Sequence, residues 1–462
     1  MPLTPSNKNL ACWVVVAAFV VLHLIYINTP FVNLEWAYRQ GSLFFITGSE
    51  DSLADYLAYQ ANPLTFPYLS SWLAAITDPG AYFPYRLLAL CGGVLLLISL
   101  LHYRSTALLL IVVLNPLIWI YSGRGYSELL SVGLMMLAFN PAMPALLRGG
   151  IGSLAGMVKY HAWPVILLHE GFIWLEKMRR TEFRDWRNTN LLAITVILIS
   201  AGLFLSLYFL ATGIWIYPAH FSDEMSGFTP IAFLNNFFGY GFFLSGMFFL
   251  TLPIHFTKQA WQLKAGLFLV CLVCAYLNSN LGEMDFGSFE LLLGEEIVLL
   301  IKAGGFWNFL LCCHYFWKEP RYRTKLLTVL FYVAVLSVTR PAQRYLIFII
   351  PLWAILITQC LNLPRLIRYG YILCLVPLNL FATLYQVNNA QAASNMAEWI
   401  TQNGMTADLG AIHPHIGNTA IHDRESSFAV RIGSAEEAGV LHSENIVIFG
   451  KSLRTYVLKP AD

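Results

Sequence analysis

Trp13-Val14-Val15-Val16-Ala17-Ala18-Phe19-Val20-Val21-Leu22-His23-Leu24-Ile25-Tyr26-Ile27 is an apolar run suited to entering a bilayer. Asn33-Leu34-Glu35-Trp36-Ala37-Tyr38-Arg39 follows it closely, and Ala61-Asn62-Pro63-Leu64-Thr65-Phe66-Pro67-Tyr68-Leu69 leads into the next apolar stretch. The reading of this segment decides the fold: a membrane span, then a long loop with its own helical rhythm from Leu53 to Tyr59, then another span. A carboxylate held at the membrane face by the preceding span is well placed to act as a general base on a membrane-bound substrate, which makes Glu35 the first catalytic candidate.

Composition extends this reading to the rest of the chain. Of 462 residues, 57% are hydrophobic and 12% are charged, against roughly 25% charged in soluble domains. Apolar runs recur from near Cys12 to about Tyr385, with Trp and Tyr near their ends. The expectation is an α-helical polytopic membrane protein. A formal net charge of +2 gives no electrostatic support for a nucleic-acid partner. All eight cysteines lie in or beside apolar runs, so Cys271-x-x-Cys274 reads as packing residues, not as a zinc or redox site. One Lys (Lys8) before the first run and no clear small-x-small cleavage site suggest a retained span.

Basic connections occur at Lys8, His102 to Arg104, Arg148, Lys177 to Arg187, Lys258 with Lys264, Lys318 to Lys325, and Arg365 with Arg368. The positive-inside rule places these in the cytoplasm. Acidic connections from Glu35 to Asp78, His220 to Glu224 and Glu283 to Glu296 then lie outside. Parity is kept if Ile151 to Leu175 forms two short helices meeting at Lys159-Tyr160-His161, just before Pro164. The total is about thirteen membrane segments, with the N-terminus cytoplasmic. Residues 1–385 form the transmembrane domain, with 29–80 as the first extracytoplasmic loop. Residues 386–462 are polar and read as a small extracytoplasmic α/β domain, with a helix near Ala392 to Gln402 and strands at Glu444 to Phe449 and Leu453 to Leu458.

Other candidates follow from charge in context. Asp51 and Asp55 are one helical turn apart and read as acidic partners in the first loop. In Tyr121-Ser122-Gly123-Arg124-Gly125-Tyr126-Ser127-Glu128, glycines permit close backbone approach and Arg124 can clamp a phosphate. Glu128 is either a third acidic partner or a helix N-terminal charge. Lys159 sits among apolar residues and must reach water, a carboxylate or a phosphate. Arg340 and Arg344, in Thr339-Arg340-Pro341-Ala342-Gln343-Arg344-Tyr345, suit a lipid phosphate or pyrophosphate at the outer interface. His413, His415 and His422 read as surface histidines, not as a metal site.

Glu35 after the first span, Asn62-Pro63-Leu64 with Pro67, Arg124 with Glu128, Gly149 to Lys159, and Arg340 to Pro351 together resemble the GT-C superfamily of integral-membrane glycosyltransferases, in its bacterial aminoarabinose and protein-mannosyl branch. The match covers roughly the first 175 residues plus one later joint, and order and spacing carry it more than any single motif. Many members have Asp, or Asp-Glu, where this chain has a lone Glu35 followed by Trp36. The resemblance implies a GT-C-like fold and sugar transfer from a polyprenyl-phosphate donor to a lipid, glycan or protein acceptor on the non-cytoplasmic face. It implies Glu35 as base and Arg124, Lys159, Arg340 and Arg344 as donor-phosphate ligands. A divalent metal is compatible with the sequence but not required by it. The expected location is a bacterial inner membrane with the C-terminal domain periplasmic. The alternatives are an envelope polysaccharide ligase or polymerase using a lipid-pyrophosphate donor, a lipid-linked sugar transporter, and a non-catalytic scaffold.

Overall fold

The computed structural model describes residues 5–60, 62–179, 189–216, 229–246, 261–281, 293–338, 342–360, 365–417 and 419–461. Arg340 lies outside the described residues, as do 180–188 of the basic connection, the acidic stretch 220–224, Lys258 and 282–292. The chain is mainly helical. In order it forms α1 (Pro5–Leu24), α2 (Glu35–Thr47), α3 (Glu50–Tyr59), α4 (Thr65–Ile76), α5 (Phe83–Leu100), α6 (Thr106–Val113), α7 (Pro116–Ser122), α8 (Glu128–Ala138), α9 (Ala145–Val158) and α10 (Ala162–Arg179). Then come α11 (Thr189–Thr212), α12 (Pro230–Gly246), α13 (Trp261–Leu281), α14 (Glu295–Lys318), α15 (Pro320–Ser337), a 3-10 turn (Gln343–Phe348), α16 (Ile350–Cys360), α17 (Arg365–Gln402) and α18 (His413–Ile416). Three strands close the chain: β1 (Phe428–Ile432), β2 (His442–Ile448) and β3 (Lys451–Pro460).

Among the described residues four helices are long and apolar enough to cross a membrane, within 83–103, 190–212, 295–318 and 370–402, and five more are apolar but shorter. The count of thirteen crossings therefore remains an expectation. On α11, Leu203, Leu207 and Leu210 are all exposed. Their spacing puts them on one face, as a lipid-facing stripe requires.

Prolines divide two stretches expected to be single spans. Ala107 to Tyr121 becomes α6 and α7, with Pro116 opening the second helix. Ser127 to Leu147 becomes α8 and α9, separated by a connection holding Pro141 and Pro144. A helix-interior proline removes a backbone donor and clashes with the preceding turn, whereas the first turn tolerates it. Ile151 to Leu175 does form two helices that break at Lys159, whose backbone is extended (φ −153, ψ 117). The Trp163 indole N–H donates to the Ser153 carbonyl at 3.2 Å across this break.

Contacts divide the chain into two compact units. The first comprises residues 1–19, 91–119 and 127–377. In it α12 packs on α13, α14 and α15, α9 packs on α8 and α11, and α10 packs on α15. Gly92 of α5 lies against α8 so closely that a Cβ would stand 2.2 Å from the Leu130 nitrogen. Such a crossing admits only glycine.

The second unit comprises residues 20–90, 120–126 and 378–462. Here α2 packs on α3 and α4, and Phe31, Trp36, Ala37, Ala74 and Tyr85 form a buried core. Its sheet is antiparallel, in the order β1-β3-β2. The two expected strands correspond to β2 and β3, and β1 is an addition. The expected border at 385/386 falls inside α17, which runs on to Gln402.

Candidate active site

Two buried ionic clusters organise the functional candidates, one in each unit. In the second unit Glu35 opens α2 and is fully buried. Arg86, from the start of α5, grips it bidentately: Nε donates to Oε1 at 3.0 Å and Nη2 to Oε2 at 2.8 Å. The Gly125 backbone N–H also donates to Oε1, and that of Val32 to Oε2. A carboxylate offers about four lone-pair positions, and these four donors occupy them. Arg86 also donates to the Thr29 carbonyl at 2.7 Å, its hydroxyl at 2.6 Å and the Pro30 carbonyl at 2.8 Å. The pair thus fastens the end of the first span, the start of the loop and the Gly123–Tyr126 turn into one body. Sequence reasoning did not single out Arg86, although a lone arginine at the mouth of an apolar run is a sign that a partner must exist.

Glu50 and Asp51 lie exposed in the first turn of α3, where carboxylates favour the helix N-terminus. Asp55 is half-buried on the same helix. Arg124 donates to the Gln386 side chain at 3.1 Å, and its guanidinium lies over the rings of Tyr121 and Tyr126. Near it His415 Nδ1 accepts from the Asn33 backbone N–H at 3.1 Å, and Nε2 lies 3.2 Å from the Asn389 amide. Burial, with Arg124 and Arg454 close by, pushes the His415 imidazole down to about 4. The tail histidines are thus integrated with the loop: His413 stacks edge-on against Trp36, and its Nε2 lies 3.4 Å from the Tyr59 hydroxyl.

The first unit holds the second cluster. Glu128 begins α8, and its side chain is fully buried. Lys159, at the break between α9 and α10, places Nζ 3.1 Å from Glu128 Oε1 and is 1% exposed. Arg344 Nε lies 3.9 Å from the same oxygen, with its side chain 29% exposed, so it alone reaches the surface. Tyr345 is the common floor. Lys159 Nζ and Arg344 Cζ lie 5.5 and 5.2 Å from its ring centre, and His161 stacks on it at 3.8 Å. Cations over an aromatic face gain electrostatic stabilisation without losing their donors. The turn carrying these groups is fixed by the Ala342 N–H, which donates to the Tyr240 hydroxyl at 3.0 Å.

The structure therefore brings together three of the sequence candidates, Glu128, Lys159 and Arg344. It places Glu35, Asp51, Asp55 and Arg124 in the other unit. His161 and Tyr345 complete the cluster; both were visible as neighbours of the candidate cations, but nothing in the sequence marked the ring as their shared platform. A buried Lys302 on α14, with its ammonium 5.6 Å from the Phe242 ring centre, also escaped the sequence reading. Among the described residues no three His, Cys, Asp or Glu side chains are grouped so as to hold a metal ion.

No protein family and no curated protein matches the chain. Among solved structures it is similar to ArnT from Cupriavidus metallidurans bound to undecaprenyl phosphate (12% identity, 96% of this chain and 97% of that chain, TM-score 0.43). It is similar also to ArnT from the same organism in the apo state (11% identity, 96% and 97%, TM-score 0.42). At this distance no residue role, ligand or reaction passes from one chain to the other.

Proposed function

We propose that this chain is a membrane glycosyltransferase that moves a sugar from a polyprenyl-phosphate donor to a hydroxyl or amine of a lipid, glycan or protein acceptor on the non-cytoplasmic face of a bacterial inner membrane. The observation that carries this reading is the buried Glu128–Lys159–Arg344 cluster on Tyr345, where two cations face one carboxylate. A cluster with one surplus positive charge suits a lipid-linked phosphodiester, which carries one negative charge. When the bond from the anomeric carbon to the phosphate oxygen breaks, the departing phosphomonoester approaches two negative charges. Lys159 and Arg344 stabilise that increase. The Lys159 ammonium has three donors and makes no hydrogen bond, although it stands 3.1 Å from Glu128 Oε1, so phosphate oxygens can take them.

The acceptor must lose a proton as its bond to the anomeric carbon forms, and a carboxylate can take it. Glu128 is better suited to this than Glu35. Neither Glu128 oxygen carries a hydrogen bond, whereas each Glu35 oxygen already accepts two. Glu35 is then a positioning residue that organises the first loop through Arg86, and Arg124 serves the loop and tail in place of the donor phosphate.

Two measurements on the full-length protein in nanodiscs test this reading. Titration with polyprenyl phosphate alone should give binding that Lys159→Gln and Arg344→Gln each weaken about tenfold. Radiolabelled sugar transfer to envelope extract should fall about a hundredfold in kcat for Glu128→Gln, with little change in donor KM. Binding unaffected by either cation variant would refute the donor site.

A further inference from the structure

The hairpin joining β2 and β3 turns at Phe449-Gly450, where both residues have positive φ (+52 and +78). Register places Ile448 opposite Lys451, so the loop has two residues. Such turns favour Asn, Asp or Gly at both central positions because their backbones tolerate the left-handed region. A phenylalanine there is sterically disfavoured. Packing does not compensate for this: Phe449 is 78% exposed, and Val447 beside it is 44% exposed. The fold alone accounts for neither the strained backbone nor the bare aromatic.

The position of the tip supplies a reason for both. Asn388 of α17 donates its side-chain amide to the Val447 carbonyl at 3.0 Å. Asn388 stands three residues beyond Tyr385, where the apolar run gives way to the polar stretch from Gln386. Leu380 on the same helix is 45% exposed, as a lipid-facing residue would be. Eight residues of helix separate Leu380 from Asn388, a rise of about 12 Å, so the tip is tied to α17 at the depth where hydrocarbon gives way to headgroups. Lys451 follows the turn and is exposed. An aromatic and a lysine side by side at that level match interfacial anchoring, with the ring among acyl chains and the ammonium among phosphates.

We infer that the β2–β3 hairpin tip, through Val447 and Phe449, inserts into the interfacial layer of the leaflet from which α17 emerges. The partner is the phospholipid surface itself. The inference rests on α17 crossing the membrane and is independent of any transfer activity.

The test uses the full chain in phosphatidylcholine–phosphatidylglycerol nanodiscs, with dansylalanine placed by nonsense suppression at 449 or, as a water-exposed control, in place of Glu436. The label at 449 should emit to the blue of the control and be quenched at least about threefold more by lipids spin-labelled near the headgroup. Equal emission and equal quenching at the two positions would overturn the inference. Phe449→Asn gives an independent readout, because asparagine suits the turn. Amide hydrogen exchange across 442–460 in nanodiscs should become about fivefold faster, since the anchor is lost. Slower exchange would show that relief of backbone strain is the whole effect, and the anchor would be rejected.

Discussion

Glu35 and Glu128 are both buried carboxylates paired to cations, yet their surroundings differ in kind. Glu35 is saturated by a bidentate arginine and two backbone donors, while both oxygens of Glu128 are free of hydrogen bonds. Removing one partner of a buried pair leaves an uncompensated charge, at a cost of about 3–5 kcal/mol. Glu35→Ala should therefore lower the stability of the folded protein by that order, seen as a reduced unfolding midpoint in nanodiscs, with activity lost in proportion to folded protein. A variant that stays as stable as the parent but is inactive would instead return the base role to Glu35. The sequence made Glu35 legible as an anchored acid, because the preceding span fixes its place. It hid Arg86, because the two residues stand 51 positions apart and only tertiary structure pairs them. Lys302 was missed for a simpler reason: one lysine barely alters the hydropathy of a 24-residue helix.

The helix boundary at Lys159, before Pro164, was readable from its polar interruption, but the breaks at Pro116 and at Pro141 with Pro144 were passed over inside expected single spans. Composition misled where polarity and helicity parted company. Residues 386–402 are polar, but Ala390, Ala392 and Ala393 favour helix and no Gly or Pro intervenes before Gly404, so α17 continues past the expected domain border. Strand β1 is only five residues long and pairs with β3, a partner about 25 residues later, so local pattern could not reveal it. The α5–α8 crossing was equally silent, since a glycine in an apolar run has no distinguishing context. Gly92→Ala would force its methyl group onto the Leu130 backbone. The helices must separate, at a cost of about 1–3 kcal/mol. Thermal unfolding should detect that loss in Gly92→Ala, and Gly150→Ala, with open space at its Cβ position, should show none.

At the scale of the molecule, each unit is assembled from stretches far apart in the chain. His415 is one of the joints: it binds Asn33 of the first loop on one side and faces Asn389 of α17 on the other. Its ring is held neutral down to about pH 4, whereas in the unfolded chain it takes up a proton near 6.5. Below 6.5 the unfolded state therefore binds more protons than the folded one, and stability falls as pH drops from about 6.5 to 4. Tail amides should exchange faster over that window, and His415→Gln should flatten the dependence. Unchanged pH sensitivity in the variant would assign the effect to other groups. The Arg86 side chain has a consequence of another sort. It collects the Thr29 and Pro30 carbonyls as well as the Glu35 carboxylate, all of which leave the ribosome well before it does. The opening loop must wait unfinished during translation until the second hydrophobic segment has been delivered to the insertion machinery, so a stall or truncation between these points would present quality-control proteases with a half-closed nascent chain.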